Sequence, residues 1–492
     1  MSELPPGWAH ASIRDLSATV TSGSRDWSRF YSERGAYFIR SAEINDYNLR
    51  LSEAIRVDLP ERVEGKRSLV EKGDLLVTIT GANVGKCAKV DIDVPESYVS
   101  QSVALIKLKM RGLAPLVYYG LRAPGFGAEQ LANSAYGVGR PVLSLPLINA
   151  VRLPIPPEVE QSRIVAKLDT LLARVNTCRE RLDKIPKLLA RFRQSVLAAA
   201  CSGRLTEDWR LLNPKQTSSS LDSPEELPET WTLKKNSRLA ASAPSAICAG
   251  PFGTIFKARD FRAQGVPIIF LRHVRPGTYL TDKPGFMDSE RWNELFTSYS
   301  VYGGELLVTK LGDPPGQCAI YPHGIGPAMV TPDVIKMSVD ESGARAKYLM
   351  YFFNSPIARS KMFGLAFGVT RLRIDLTMFK ALLIPLPPLP EQHEIVRRVD
   401  QLFTFADRLE ARIQTARQRV DALTQSILAK AFRGELVPTE AEVAAAENRT
   451  FESAAELLER IRALNPQPGK ATAGKTQTKR ARKAAAARAA GA

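Results

Sequence analysis

Histidine and cysteine are scarce: four of the first and five of the second in 492 residues. Cys87, Cys178, Cys201, Cys248 and Cys318 form no CxxC pair, and His10, His273, His323 and His393 form no ligand-spaced pair. The pattern excludes a zinc site of the usual spacing and a disulfide framework, and dispersed thiols predict a cytoplasmic protein. No apolar run approaches the roughly 18 residues of a membrane span, so no membrane partner is expected. The opening stretch, MSELPPGWAHASIRDL, has no basic segment leading into an apolar one, so no secretory signal is expected. Acid is the minority charge, with Asp+Glu 51 against Lys+Arg 68. The last 23 residues lack it altogether while holding Lys470, Lys475, Lys479, Arg480, Arg482, Lys483 and Arg488.

What is present begins with that surplus. The net charge is +17, and the seven basic residues of the tail leave +10 on the rest. A body basic in its own right favours a polyanionic partner such as nucleic acid; the alternative is a solvated basic surface without such a role. Hydrophobic residues at 44% and charged residues at 24% suit a folded chain. At this length about three domains are expected.

The chain repeats itself. Residues 154–205 align without gaps on 385–436 at an offset of 231, with 17 identities in 52 positions. Among them are Pro156/Pro387, Glu160/Glu391, Gln161/Gln392, Asp169/Asp400, Gly203/Gly434 and Leu205/Leu436. Upstream, GDLLVTITGANVGKC (73–87) aligns with GELLVTKLGDPPGQC (304–318), and GVGRPVLSLPLINAVRLPIPP with GVTRLRIDLTMFKALLIPLPP. Each copy opens alike, ELPPGW at Glu3 and ELPETW at Glu226, at offset 223, so the second copy carries about eight extra residues in its first third. A tandem duplication of a unit of about 230 residues accounts for all of this.

Within each copy, short apolar runs (LLVTIT, SVALIKL; LLVTK, VIKM) broken by Gly, Pro and Asn predict strands of an α+β or mostly β domain. A Pro-Pro stop then opens about 45 residues almost free of glycine. In the first, Ile164, Leu168, Leu171, Val175, Cys178, Leu182, Ile185, Leu189, Phe192 and Val196 step by four and three. In the second, Ile395, Val399, Leu402, Ala406, Leu409, Ile413, Ala416, Val420, Leu423 and Ile427 do the same. Heptads of that length predict a coiled-coil seam, the alternative being two helices buried in separate cores. Pro186, opposite Arg417 in the alignment, predicts a kink or break in the first helix. The duplication favours antiparallel pairing of the two helices, with pseudo-two-fold symmetry. The fold class is thus α+β: two tandem α/β domains separated by two long helices.

Motifs for chemistry fail on inspection. Asp313-Pro314-Pro315 resembles the Asn/Asp-Pro-Pro-aromatic loop of adenine methyltransferases, but Gly316 replaces the aromatic and the other copy has Ala82-Asn83-Val84 there. Gly81–Cys87 imitates a phosphate-binding loop, yet it is one residue short and has Cys87 where a magnesium-liganding hydroxyl belongs. A turn between strands is expected instead. Glu64-Gly65-Lys66 lacks the partner carboxylate of a nuclease metal motif, Asp58 being too close. No catalytic residue and no metal ligand is assigned.

Binding remains. Candidate DNA contacts in the break-rich segments are Arg40, Lys86, Gln101, Tyr136 and Arg140 in the first copy. In the second they are Lys257, Arg272, His273, Lys310, Gln317, Arg371 and Arg373. Arg pairs with guanine, Gln with adenine and Lys with phosphate. A common framework (LLVT, then glycine at 81/312 and 85/316) carrying different variable residues is the pattern expected of two readers of different sequences.

LPIPPEVEQSRIVAKLD and PLPPLPEQHEIVRRVD at the helix starts, the two GDLLVT/GELLVT segments and the closing QSVLAAACSGRL and QSILAKAFRGEL together resemble the specificity subunits of type I restriction–modification enzymes. The resemblance covers the chain to about residue 465. It implies target-recognition domains at 1–155 and 206–386, the latter with a linker, and spacer helices at 156–205 and 387–437. It leaves a short helix and a basic, disordered tail at 438–492. It also implies double-stranded DNA as ligand and docking of two methylation subunits on the helices, with a further restriction or motor subunit. S-adenosylmethionine, ATP and magnesium would belong to those partners and not to this chain. A DNA-binding architectural or regulatory protein without a methyltransferase partner is the alternative. The Lys/Ala-rich tail departs from the family pattern.

Overall fold

The computed structural model describes residues 3–464, apart from 46, 61–65, 138, 140, 215–226, 252–256, 258–259, 313–314 and 369–371. The basic tail lies outside the described residues. Two compact units divide the chain: residues 1–180 with 417–492, and residues 181–416. Each unit therefore holds one sheet-rich domain together with part of both long helices, Glu158–Cys201 and Leu389–Phe432.

In the first unit the LLVT run forms the strand Leu75–Thr78, third in an antiparallel sheet with Ser17–Ser22, Val103–Leu108 and Cys87–Lys89. All four of its residues are buried, which is why Leu75, Leu76 and Val77 are apolar in succession where a half-exposed strand would alternate. Leu75 and Val77 enter a core shared with Ile164, Leu168, Leu172 and Val175 of the first long helix. Leu76 faces the other way, into a core with Ile39 and Val99 beneath a second sheet (Ser97–Val99, Ala36–Ile39, Ile55–Val57, Tyr31–Ser32). Fully burying one such leucine contributes about 1.5–3 kcal/mol.

The second unit repeats the plan. Leu306–Thr309 is third in a sheet with Ile247–Ala249, Val334–Met337 and Cys318–Ile320. Leu306 and Val308 share a core with Ile395 and Val399, while Leu307 packs with Ile269 and Val330. Its second sheet has five strands: the added one is Ser300–Val301, whose place in the first unit is held by the single bridge Leu69–Tyr98.

The long helices pair antiparallel within each unit. In the first, Arg163 meets Pro438 and Glu440, and Arg179 meets Asp421 at 2.6 Å, so one helix ascends as the other descends. In the second, Arg193 meets Asp407 and Glu410, and Arg398 meets Leu205 and Asp208. Pro186 lies inside an unbroken helix, so the expected break is absent.

The seam matches the heptad pattern in part. Ile164, Leu168, Val175, Leu189, Ile395 and Val399 are buried, and Leu171, Leu182, Ile185, Leu402, Leu409, Ile413 and Val420 are half-buried. Cys178 is exposed, and Leu423 is 51% exposed while the neighbouring Thr424 is buried. Leu172 is likewise more deeply buried than Leu171. The physical reason is drift: an α-helix turns once per 3.6 residues, so a strict 3.5-residue stripe slides off the contact line by ~20° per heptad. The seam passes to the next residue, and Leu423 leaves it.

The repeated Glu-Gln pair explains the repeated Trp. Glu160 and Glu391 are both fully buried at the helix starts. Trp8 Nε1 donates to Glu160 at 3.1 Å and Trp231 Nε1 to Glu391 at 3.0 Å. Gln161 and Gln392 donate at 2.8 Å to the carbonyls of Pro156 and Pro387, holding the Pro-Pro entry against the first helical turn. Each carboxylate also receives the segment that follows the other helix: Glu440 N on Glu160, and Thr206 Oγ1 with Arg210 on Glu391. Tyr119 and Tyr351 donate to the repeated Asp169 and Asp400, a second tie between sheet domain and helix.

After the second long helix come two short helices, Glu440–Ala446 and Ala454–Ala463, where one was expected within 438–492. Ala454, Leu457, Leu458 and Ile461 join the first unit's core, and Arg460 bridges to Glu158 at 2.5 Å.

Candidate nucleic-acid interface

In each unit the glycine-rich segment after LLVT closes as a turn between strands. Thr78 N donates to Lys86 O and Gly85 N to Thr78 O; Thr309 N and Gly316 N repeat the pair with Gln317 O and Thr309 O. Gly81, Gly85, Gly312 and Gly316 all have positive φ, which a side chain would strain, and this accounts for their recurrence. The fold thus spends these glycines on a turn, as expected, with no phosphate cradle among the described residues.

A second segment is stitched to this turn. Val142 bridges both Thr80 and Tyr136, and Gly81 N donates to Pro141 O. In the second unit Arg373 bridges both Leu311 and Phe367, and Gly312 N donates to Leu372 O. The backbone pairs Tyr136–Val142 and Phe367–Arg373 therefore close hairpins beside the glycine turns, and two stretches 60 residues apart in sequence become one surface. Arg140 and Arg371 lie outside the described residues, as do Asp313 and Pro314.

A third segment completes the surface in the first unit. Asn83 Nδ2 donates to Ser41 O, Lys86 Nζ reaches Asn45 Oδ1 at 3.4 Å, and Ser41 N donates to Ser102 Oγ. Arg40, Lys86 and the exposed Gln101 are thereby brought to one neighbourhood, with Tyr136 on the adjoining hairpin. Arg40 is partly engaged: its Nη2 donates to the buried Glu43 at 2.7 Å, which raises its pKa further. The same carboxylate accepts Arg40 N, closing the turn.

The corresponding turn of the second unit is closed by His273. Its Nδ1 accepts Phe270 N at 3.2 Å, as Glu43 accepts Arg40 N. His273 is 2% exposed, and burial, with Arg272 alongside, lowers its pKa, so the ring is neutral at pH 7. It is a turn closure and leaves the set of DNA contacts. Arg272 stays exposed, its guanidinium over the Phe270 ring at 4.3 Å and donating to Lys283 O. Lys310 and Gln317 flank the glycine turn, and Arg373, over the Phe367 ring at 5.0 Å, lies on the hairpin. Lys257 is exposed at the start of another turn, its amide on Asp260. The structure thus groups Lys310, Gln317 and Arg373.

Sequence reasoning passed over Phe367, although it stands 231 residues after Tyr136 and the duplication offset alone would have found it. It also passed over Glu43, because a buried capping carboxylate leaves no periodic signature.

The model of the family described as type I restriction modification DNA specificity domain matches residues 25–187 and 324–416. The chain is 34% identical over 354 residues to the EcoBI specificity subunit of Escherichia coli, covering 70% of this chain and 71% of that one. It is 34% identical over 327 residues to the EcoKI specificity subunit of E. coli K12, covering 65% of each chain. With the StySPI specificity subunit of Salmonella potsdam it shares 28% identity over 480 residues, 94% of this chain and 96% of that one. Among solved structures, a chain from a study of assembly and conformational transition of the type I R-M system superposes with a TM-score of 0.64 at 18% identity, covering 88% of this chain and all of that one. The HsdS subunit of Thermoanaerobacter tengcongensis gives 0.50 at 16% identity, covering 88% and 98%. These two likenesses concern the fold. Among the described residues no helix is long and apolar enough to cross a membrane.

Proposed function

The chain belongs to the type I restriction–modification specificity subunits, and from that premise we propose that its two sheet-rich domains each read one half of a bipartite DNA target. It is a sequence-specific DNA-recognition subunit. The observation that carries the half-site reading is the repeated frame with unequal contents. Turn, hairpin and glycines recur, while Lys86 faces Gln317 in the alignment, Val142 faces Arg373, and Thr80 faces Leu311.

Recognition then proceeds from ordinary chemistry. Lysines such as Lys86 and Lys310 fix the backbone register through phosphate, while Arg373, Arg272 and Gln101 offer donors to base edges. Each good bidentate pair is worth about 1–3 kcal/mol of discrimination, so a handful per half-site gives modest selectivity. Two half-sites held on one chain multiply it.

The paired helices set the unspecified gap between half-sites and dock two methylation subunits. S-adenosylmethionine and the adenine chemistry belong to those subunits, and ATP and magnesium to a restriction or motor subunit. This chain performs no catalysis itself and acts in the cytoplasm.

The test is to map N6-methyladenine across the genome of the host with and without this gene. Loss of one motif, made of two short half-sites around a fixed gap, is the expected result. An unchanged methylome in a host whose partner subunits are expressed and active would overturn the reading.

A further inference from the structure

Two aromatic side chains occupy the same place in the two units, and neither is among the described members of a hydrophobic core. Tyr136 is 56% exposed and Phe367 40% exposed. Each is clamped by a pair of backbone hydrogen bonds, Tyr136 to Val142 at 3.0 and 2.8 Å and Phe367 to Arg373 at 3.0 and 2.9 Å. Each is followed at once by a glycine in the left-handed region, Gly137 at φ 104° and Gly368 at φ 120°. The scaffold that presents the ring is therefore duplicated, while the residue paired with it differs.

A clamped backbone leaves the ring only its own two side-chain torsions. Ordering it on a ligand costs little, and the large apolar face gains by leaving water. The hairpin is joined to the glycine turn that carries Lys86 in one unit and Gln317 in the other, so the ring stands among polar and cationic groups suited to a duplex. In the second unit the Arg373 guanidinium lies over the ring at 5.0 Å, bringing a cation to the same spot. Apolar side chains so placed wedge between base steps and partly unstack them.

We propose that Tyr136 and Phe367 are equivalent wedges, one for each half-site, each ring packing against a base-pair step and supplying part of the specificity. The proposal rests on the reading of the two domains as DNA readers. It adds Phe367, and it gives Tyr136 a stacking role.

The experiment uses the complex purified through a tag on this chain and a duplex carrying the mapped target, with 2-aminopurine placed in one half-site or the other. With the wild-type complex, fluorescence is expected to rise in both half-sites. Tyr136→Ala abolishes the rise in one half-site and Phe367→Ala in the other, each lowering target affinity about tenfold or more while leaving non-target binding unchanged. Tyr136→Phe and Phe367→Tyr, which keep the ring, preserve both signals. Alanine variants with full fluorescence and affinity would overturn the proposal, as would loss of both half-site signals from one substitution. Loss of a methylation subunit from the Phe367→Ala complex would assign the ring to a protein partner and overturn it too. A wild-type complex that fails to distinguish target from non-target DNA would remove the underlying reading, and that result is seen before any variant is made.

Discussion

Replacing Glu391 with glutamine tests whether the repeated Trp–Glu joint holds the second unit together. The carboxylate is fully buried and accepts from Trp231 Nε1 at 3.0 Å, from Thr206 Oγ1 at 2.7 Å and from Arg210. Glutamine keeps the shape but removes the charge, and its amide points two donors at groups that are themselves donors. Arg210, with its side chain 16% exposed, is left without a counter-ion, though it still donates to Gly203 O. Breaking a buried pair from one side costs about 3–5 kcal/mol, and the residual exposure of Arg210 places this case near ~3. At 1.36 kcal/mol per decade, that is a roughly 150-fold faster local opening. Hydrogen–deuterium exchange of the full chain reads it directly: peptides spanning 203–212, 231–239 and 389–399 should speed up by that factor, while those around Trp8 and Glu160 should not. Adding Arg210→Met should recover much of the loss, since removing both partners strands neither. Unchanged exchange in the single variant, or a double variant as damaged as the sum of its parts, would refute the argument.

Three further outcomes follow from the same geometry. Burial is the leading influence on Glu160 and raises its pKa, against the donors Glu440 N and Trp8 Nε1. The folded state therefore holds this proton more tightly than the unfolded one, so the contribution of Glu160 falls as pH climbs from about 4.5 through the raised value. The difference in denaturation midpoint between wild type and Glu160→Gln should shift toward the variant over that window, and a shift the other way would refute the sign. Gly434→Ala places a Cβ 2.5 Å from Pro5 at φ +76°, and Gly203→Ala one 2.3 Å from Pro228 at φ +81°. Each should cost about 1–3 kcal/mol in a thermal melt, and Pro→Ala on the facing residue should return only the clash. Inserting four helical residues after Glu180 and four after Arg419, flanking the Arg179–Asp421 contact, lengthens both helices by about 6 Å at matched levels. The methylome should then show the same half-sites around a gap wider by one or two base pairs; altered half-sites would refute the spacer role.

The framework was legible in the sequence because its signals are periodic or duplicated. LLVT reads as a buried strand in both copies and is one, since three consecutive apolar residues with faces to two cores leave no exposed position before the threonine that ends the strand. The helices Glu158–Cys201 and Leu389–Phe432 contain the heptads Ile164–Val196 and Ile395–Ile427 that predicted them. What misled was treating 3.5 as the true period: Leu423 and Cys178 sit where a strict heptad puts them, and the helix carries them out of the seam. Pro186 does not break the first helix, because a single missing donor does not outweigh a 44-residue helix anchored at both ends.

The candidate site was legible only in outline, and the reason lies in what duplication reveals. Positions alike in both copies proved to be scaffold: Gly85/Gly316 close turns, Trp8/Trp231 and Glu160/Glu391 join sheet to helix. It is tempting to read every unlike pair as specificity, but Glu43 and His273 show the error. One is an acid and the other a neutral imidazole, yet both are buried and both accept the amide three residues back. They differ in chemistry and share one structural duty, so the difference carries no information about DNA. A pair speaks of recognition only when it is unlike in chemistry and exposed on the shared surface. Val142 and Arg373 are unlike and sit in that surface; Tyr136 and Phe367 are near-alike but exposed, the one combination that neither scaffold nor base-specific reading predicts. A common, exposed ring fits a step performed alike at both half-sites, and unstacking a base step, whose cost depends on the bases that form it, is such a task.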